Sequence, residues 1–278
     1  MTATGRALAA AASVLAIAPA LAFPARAPGA SMPAVSAGRL APSSGSTVPF
    51  HSAQAPAPET SPVDRTVLLS NERTVTTWAN PLEEVSVRAQ PASSARTIAR
   101  TRLETDDGYP EVYLLLSYLT DAHGRAWVRI RVPGRPNGRT GWVPRSTLAD
   151  FHVTYWLIDI SLRARRLTAY YKGKRRFSAP VGVGKPSTPT PTGHFWIRER
   201  IKLSSPSNPY WPYALGTSGY SEQLTEWPGG GVVGIHGAFG APQLIPGDPS
   251  HGCVRMHDAD IAWLGPRVQI GTPVHISP

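Results

Sequence analysis

Cysteine is almost missing from this chain, whose 278 residues include one cysteine, Cys253, and three methionines. A single cysteine has no partner for an intramolecular disulfide bond, so a disulfide-based scaffold is excluded. The sequence also lacks a Gly-rich phosphate loop, a dinucleotide-binding fingerprint and an HExxH metal motif. We therefore expect no cofactor and no metal ion, and any chemistry must come from the side chains themselves.

Long apolar runs are scarce as well. The best candidate, residues 7–20, follows Arg6, contains Pro19 and is shorter than a membrane-spanning helix requires. Ala20-Leu-Ala22 then fits a small-x-small cleavage site. Residues 1–22 therefore predict a secretory signal peptide, or an uncleaved N-terminal anchor, and we expect the protein outside the cytoplasm at the cell wall.

Large apolar residues are few in residues 23–62, which consist mostly of Ala, Pro, Ser and Gly. Such a segment cannot bury enough apolar surface to offset the entropy lost on ordering, so we predict a disordered linker. Acidic residues are also in the minority, because 18 Asp and Glu face 28 Lys and Arg, for a net charge of +10. A basic exported protein favours the anionic cell wall as its partner and not nucleic acid.

Short alternating segments fill residues 63–148. Val128, Ile130 and Val132 alternate with arginines, which is typical of half-buried strands, and the turn at residues 133–138 is rich in Gly and Pro. Several such strands predict a small β barrel. Bacterial SH3-like domains resemble this region in four ordered segments: Trp78, Val87-Arg-Ala-Gln-Pro91, Ala126-Trp-Val-Arg-Ile130 and Gly141-Trp-Val-Pro144.

The lone cysteine lies in Ser250-His-Gly-Cys-Val-Arg-Met256, downstream of Ile235-His-Gly237. A free thiol in an exported protein is either a buried apolar group or a reactive one, and two nearby histidines favour reactivity. Both His236 and His251 are candidates to accept the thiol proton. Because Gly252 allows close backbone approach, the N–H groups beside it are candidates for an oxyanion hole.

These two segments resemble the active-site signature of the L,D-transpeptidase (YkuD-type) family. Three further segments resemble that family in its order, so that the resemblance covers residues 156–276: Thr188-Pro-Thr-Pro-Thr-Gly193, Tyr213-Ala-Leu-Gly-Thr-Ser-Gly219 and Gly271-Thr-Pro-Val-His-Ile276. One departure is Arg255, where many family members carry Asn.

The resemblance implies a thiol nucleophile at Cys253 and a general base at His236, whose ring is oriented by the carbonyl of Gly237. The backbone N–H groups of His251, Gly252 and Cys253 would form the oxyanion hole. Substrate contacts are expected from one arginine, one serine and three aromatic residues: Arg255, Ser250, Tyr210, Trp211 and Tyr213. The implied reaction joins donor and acceptor stem peptides of peptidoglycan through a thioester into 3→3 cross-links, and carbapenem-type inhibitors are expected to bind.

The predicted fold is mainly β. An SH3-like barrel is followed by a β-rich catalytic domain, residues 151–278, with a long lid loop over residues 204–231 and a short helix after the cysteine. We expect a monomer, and we expect the catalytic domain to be acylated without the barrel.

Three alternatives remain open at this stage. Water as the acceptor would make the protein an L,D-carboxypeptidase. The side chains of His236, His251 and Cys253 are also three conceivable zinc ligands with an open fourth position. The third alternative is a non-catalytic wall-binding protein that relies on the SH3-like domain.

Overall fold

Strands dominate the computed structural model, which describes residues 65–226 and 228–278. The predicted signal peptide and linker lie outside the described residues. The first eight strands are β1 (Arg65–Leu68), β2 (Thr76–Ala79), β3 (Ser86–Arg88), β4 (Thr97–Arg100), β5 (Tyr113–Thr120), β6 (Ala126–Arg131), β7 (Thr140–Pro144) and β8 (His152–Thr154). They are followed by β9 (Trp156–Ser161), β10 (Arg166–Tyr171), β11 (Lys174–Pro180), β12 (Gly182–Gly184), β13 (Gly193–Lys202), β14 (Tyr213–Tyr220), β15 (Val232–His236), β16 (Gly247–Ser250), β17 (Val254–Arg255) and β18 (Pro273–Ser277).

The first sheet joins β1 to β8 in the order β4-β3-β7-β6-β5-β2-β8, with β1 paired to β5. Its pairs are antiparallel, and alternation along β6 buries Val128 and Ile130 while Arg129 faces solvent. The strands predicted at residues 128–132 and 140–143 are therefore confirmed. The hydrogen-bonded strands of the first sheet form an open path from β4 to β8. The SH3-like assignment stays a prediction.

The second sheet contains the other ten strands, in the order β11-β10-β9-β18-β13-β14-β15-β17-β12-β16. Its core is formed by inward-facing aliphatic side chains such as Ile158, Ile160 and Leu167. The helix predicted after the cysteine is confirmed as α1 (Asp258–Leu264), which buries Ile261 and Leu264 against this core. Within the described residues, no helix has both the length and the apolar character needed to cross a membrane.

The predicted lid loop is partly wrong, because β14 lies inside residues 204–231. This strand has Gly and Ser where strands usually carry β-branched residues, so its sequence gave little sign of it. Small residues are needed here: a Cβ on Gly219 would lie 2.9 Å from the Phe195 ring. Two loops remain, one before β14 and one after it, and we call the second (residues 221–226 and 228–231) the rim loop.

The two sheets share a buried junction. Trp196 of β13 packs with Leu114 of β5 and with Val112, which directly precedes β5. Its Nε1 donates a hydrogen bond of 2.8 Å to the Val112 carbonyl. Arg198, on the same strand, forms a fully buried ion pair with Glu111. The described residues fall within one compact unit. The predicted domain boundary between residues 148 and 151 stays a prediction. The residues on its two sides make extensive contacts with each other.

Candidate active site

Strand pairing brings the two sequence segments together. Strands β15 and β17 run parallel, with Ile235 opposite Val254 and His236 opposite Arg255. Alternation then directs Ile235 and Val254 into the core, where both are fully buried. The opposite face carries His236 and Arg255, and Cys253 immediately precedes β17.

Backbone contacts fix the orientation of the His236 ring. Its Nδ1 lies 2.9 Å from the Gly237 carbonyl oxygen. Because a carbonyl can only accept, Nδ1 donates and the lone pair of the neutral ring lies on Nε2. Position 237 has no room for a side chain, since a Cβ there would lie 1.8 Å from the Trp211 carbonyl oxygen. Next along the chain, the N–H of Ala238 donates to Asp258 at 2.9 Å, which holds this turn against α1.

Burial favours the uncharged forms of both His236 and the Cys253 thiol. It lowers the pKa of His236 to about 4, although the hydrogen bond with Gly237 opposes this shift. Burial raises the pKa of the Cys253 thiol above its usual value, opposed by a hydrogen bond with the Gly234 backbone and by the charge of Arg255. The site therefore rests as a neutral thiol and a neutral imidazole, and proton transfer has to accompany attack.

The turn before the cysteine is held by its own hydrogen bonds. Ser250 is buried, and its Oγ donates to the Cys253 carbonyl at 2.6 Å while accepting the Gly252 N–H at 3.0 Å. Thr190 Oγ1 donates to the Gly252 carbonyl at 2.7 Å. The Ser250 side chain is thus engaged inside the turn, although substrate contact was predicted for it. The Gly252 N–H is also engaged in this state, which leaves the predicted oxyanion donor set a prediction.

A pocket of about 170 Å³ lies over these groups and includes Cys253, His236, His251, Ser250 and Arg255 in its lining. Arg255 stacks over Phe239, with Cζ 4.7 Å from the ring centroid. Its Nε is buried and has no hydrogen-bond partner in the described part of the chain. Since no ion pair engages Arg255 among those residues, its guanidinium can bind an anionic ligand group.

The three predicted aromatic contacts have different surroundings. Tyr210 lines the pocket, and its ring meets the His236 ring edge-on at 4.7 Å between centroids. Trp211 contributes the carbonyl that packs on Gly237, whereas Tyr213 packs on the end of α1 and on the core. His251 is exposed at the pocket, with Nε2 3.1 Å from Lys185 Nζ. The geometry thus gives Tyr210 the position for substrate contact.

Arg135 was missed by the sequence analysis. It lies in the turn between β6 and β7, and its guanidinium donates to three carbonyls of the rim loop: Ser221 at 2.8 Å, Gly230 at 2.9 Å and Leu224 at 3.3 Å. Asn137 adds a bond from Nδ2 to the Tyr220 carbonyl at 2.8 Å. Since Ser221 and Leu224 line the pocket, the first sheet holds one wall of the site. No local pattern marks an arginine for such a role.

The zinc alternative at Cys253 loses support from the geometry. Among residues 65–226 and 228–278, one group of three ligand side chains has all its ligand atoms within 4.8 Å of one another, and that group does not contain Cys253. The thiol and the two histidines are therefore not arranged as a preformed zinc site.

Comparison with known proteins gives the family. A model of the L,D-transpeptidase catalytic domain (YkuD) matches residues 155–276. The YkuD protein of Bacillus subtilis (strain 168) is 33% identical over 130 residues, which cover 47% of this chain and 71% of that protein. The chain belongs to the L,D-transpeptidase family.

More distant members of the family match more of the chain. L,D-transpeptidase 1 of Mycobacterium tuberculosis (strain H37Rv) is 24% identical over 201 residues, covering 60% of this chain and 78% of that protein. A solved structure of L,D-transpeptidase 3 from Mycobacterium tuberculosis, in complex with a faropenem-derived adduct, is 14% identical, covers 72% of this chain and 98% of that chain, and gives a TM-score of 0.38. The family match begins at residue 155, so Glu111 and Arg135 lie outside it.

Proposed function

We propose that this family member is a cysteine-dependent acyltransferase that forms 3→3 cross-links between peptidoglycan stem peptides. The observation that carries the proposal is the pairing of β15 with β17, which brings Cys253, His236 and Arg255 to one pocket. A thiol, an oriented neutral base and an unpaired cation are the groups that acyl transfer to and from a peptide requires.

In the first half of the reaction the Cys253 Sγ attacks the carbonyl carbon of the third residue of a donor stem, at the L-centre of its diamino acid. His236 Nε2 takes the thiol proton as the sulfur–carbon bond forms, because Nδ1 is held by Gly237. The same proton then passes to the departing amine, and the terminal D-Ala leaves. A thioester on Cys253 remains, and the Cys253 N–H is the donor that we assign to the oxyanion.

In the second half an amine from the side chain of an acceptor stem attacks the thioester. His236 takes a proton from this amine and returns it to the sulfur, so that the thiol is regenerated as the new amide forms. The guanidinium of Arg255 would bind a stem carboxylate bidentately, which its unpartnered Nε supports. The net charge of +10 and the predicted export signal favour the cell wall as the place of action.

Hydrolysis of the same thioester would give an L,D-carboxypeptidase. The two outcomes differ only in whether an amine or water reaches the thioester. Mass spectrometry of the products formed from purified tetrapeptide stems separates them, because a cross-linked dimer has lost one D-Ala whereas hydrolysis gives two tripeptides. We expect the dimer.

Replacing Cys253 with alanine should abolish acylation. Intact wild-type protein should gain the mass of one carbapenem after exposure, and Cys253→Ala should gain none, because no other cysteine exists in the chain. Cys253→Ala should also make no stem dimer while keeping the circular dichroism spectrum of the wild type. An adduct that persists in this variant would remove Cys253 from the mechanism.

Replacing His236 with alanine should slow acylation by on the order of 10²–10⁴, the usual cost of losing a general base. His251→Ala is the matched control, because its exposed ring lies at the same pocket. If His251→Ala were the slower variant, the base would be His251.

Alkylation of wild-type Cys253 should increase with pH around a midpoint above the usual thiol pKa of about 8.5. The sign follows from burial, which raises this pKa and so leaves less thiolate at neutral pH than in free cysteine. A series of alkylation rates across pH measures the midpoint. If the alkylation rate were instead high and independent of pH below pH 7, the site would contain a preformed thiolate–imidazolium pair.

A further inference from the structure

A second group of chemically capable side chains lies away from the pocket, where the two sheets meet. His194 of β13 and His275 of β18 are direct cross-strand partners, so their side chains share one face of the sheet. Their ring centroids are 4.3 Å apart. Glu72, from the segment between β1 and β2, brings a carboxylate to both rings.

The distances in this group are too long for hydrogen bonds and suit an ion between the groups. Glu72 Oε2 lies 4.0 Å from His194 Nδ1 and 3.9 Å from His275 Nε2. All three ligand atoms lie within 4.8 Å of one another. Zinc–nitrogen and zinc–oxygen bonds of about 2.0–2.2 Å place tetrahedral ligands roughly 3.4 Å apart, so small side-chain shifts would close the site.

One ligand atom is already short of a partner. His275 Nε2 is buried and has no hydrogen-bond partner within the described ranges. A buried polar atom without a partner is costly, and a metal ion would satisfy it.

The surroundings supply further parts of a metal site. Arg131 donates to both oxygens of the Glu72 carboxylate, from Nε to Oε2 at 3.0 Å and from Nη2 to Oε1 at 2.9 Å, and so fixes its orientation. Each carboxylate oxygen has two lone pairs, so Oε2 can accept from Arg131 and still bind a metal ion. A pocket of about 380 Å³ adjoins His275 and contains Asp159, which gives water access to a fourth position. The positive charge of Arg131 opposes a second cation, so binding should be weaker than at a four-ligand structural zinc site.

We propose that Glu72, His194 and His275 form a zinc-binding site that joins the first sheet to the second. Two imidazoles and one carboxylate are a ligand set that suits zinc, with water in the open position. The site is separate from the catalytic pocket, because none of its three ligands lines that pocket. Zinc bound there would tie the segment after β1 to strands β13 and β18 and stabilise the folded unit.

Zinc titration of the full chain tests this proposal. Both the reference protein and its variants carry Cys253→Ser, so that the catalytic thiol cannot bind the metal. After removal of metals with a chelator, calorimetric titration with zinc chloride should show one saturable site per chain, and zinc should raise the Tm. Cobalt(II) in place of zinc should give a visible absorption spectrum without a thiolate charge-transfer band.

The variants decide where the metal binds. His194→Gln and His275→Gln should each weaken zinc binding by more than about tenfold, since even the loss of an outer partner of a ligand costs 10–100-fold. His123→Gln is the matched control, because His123 lies in an exposed turn of the first sheet. His194 is itself more than half exposed, so His194→Gln should fold normally, as circular dichroism in chelator would verify.

Two outcomes would overturn the proposal. One is the absence of saturable zinc binding in the reference protein. The other is a zinc affinity that is the same in His194→Gln and His275→Gln as in the control His123→Gln. That result would place the metal elsewhere. Neither outcome touches the proposed acyl transfer, which is tested separately by the carbapenem adduct on Cys253.

Discussion

A chain that begins at Ala149 should be acylated at least about tenfold more slowly than the full chain, although every predicted catalytic residue lies after that point. This truncation removes β1 to β7 and uncovers Trp196 and Ile270, which pack against Val112 and Leu114. It also removes the guanidinium of Arg135 from the rim loop. A hydrogen bond to a charged donor contributes about 1.5–3 kcal/mol. If the loss of one such bond raises the acylation barrier by that amount, acylation slows about tenfold or more.

Carbapenem acylation measured by mass, together with thermal unfolding, provides the readout for the shortened chain. Because misfolding of the shortened chain would also slow acylation, Arg135→Ala in the full chain isolates the effect on the rim loop. Arg129→Ala is its control, since Arg129 is exposed on β6 and its guanidinium donates to Thr140 Oγ1 at 3.0 Å, away from the rim loop. We expect slower acylation in Arg135→Ala alone. Wild-type rates in both Arg135→Ala and the shortened chain would support the independent domain predicted from the sequence.

Glu111→Ala should lower the free energy of unfolding by about 3–5 kcal/mol, because it leaves Arg198 as a buried charge without its partner. The two side chains are 0% and 1% exposed, and Arg198 Nε donates to Glu111 at 2.7 Å. Burial lowers the pKa of Arg198, but hydrogen bonding and the charge of Glu111 raise it above its usual value, so this arginine stays charged. For a unit of this size the Tm should fall by roughly 6–20 °C.

Denaturant unfolding of matched variants measures this loss. Arg165→Gln breaks an exposed ion pair with Asp248, in which the two side chains are 41% and 35% exposed, and should leave the free energy of unfolding nearly unchanged. Replacing both buried partners, as in Glu111→Leu with Arg198→Met, should recover most of the loss, because no unpaired charge remains. A Glu111→Ala protein as stable as Arg165→Gln would mean that Arg198 is solvated in solution.

The pocket position of Cys253 and His236 could be anticipated because the two segments that carry them are neighbours in the sheet. One parallel strand pair holds both Ile235-His-Gly237 and Cys253-Val-Arg255, so short segments with recognisable residue types carry most of the site. Alternation likewise predicted β6, where Val128 and Ile130 are buried and Arg129 is exposed. The strand β14 escaped prediction because close packing selected glycine there, and close packing is a tertiary condition.

The sequence by itself thus determined the family resemblance, the nucleophile candidate and the mainly β character of the chain. Only the tertiary structure revealed which aromatic residue reaches the pocket and that Arg135 holds the rim loop. It also showed that Arg255 has no ion-pair partner among the residues that the structure describes. The same is true of the pair between Glu111 and Arg198, which are 87 positions apart. Long-range contacts of this kind produce no periodic pattern in the sequence, because each partner has to be compatible only with its own strand or turn. Whether the two partners meet depends on how the two sheets pack against each other.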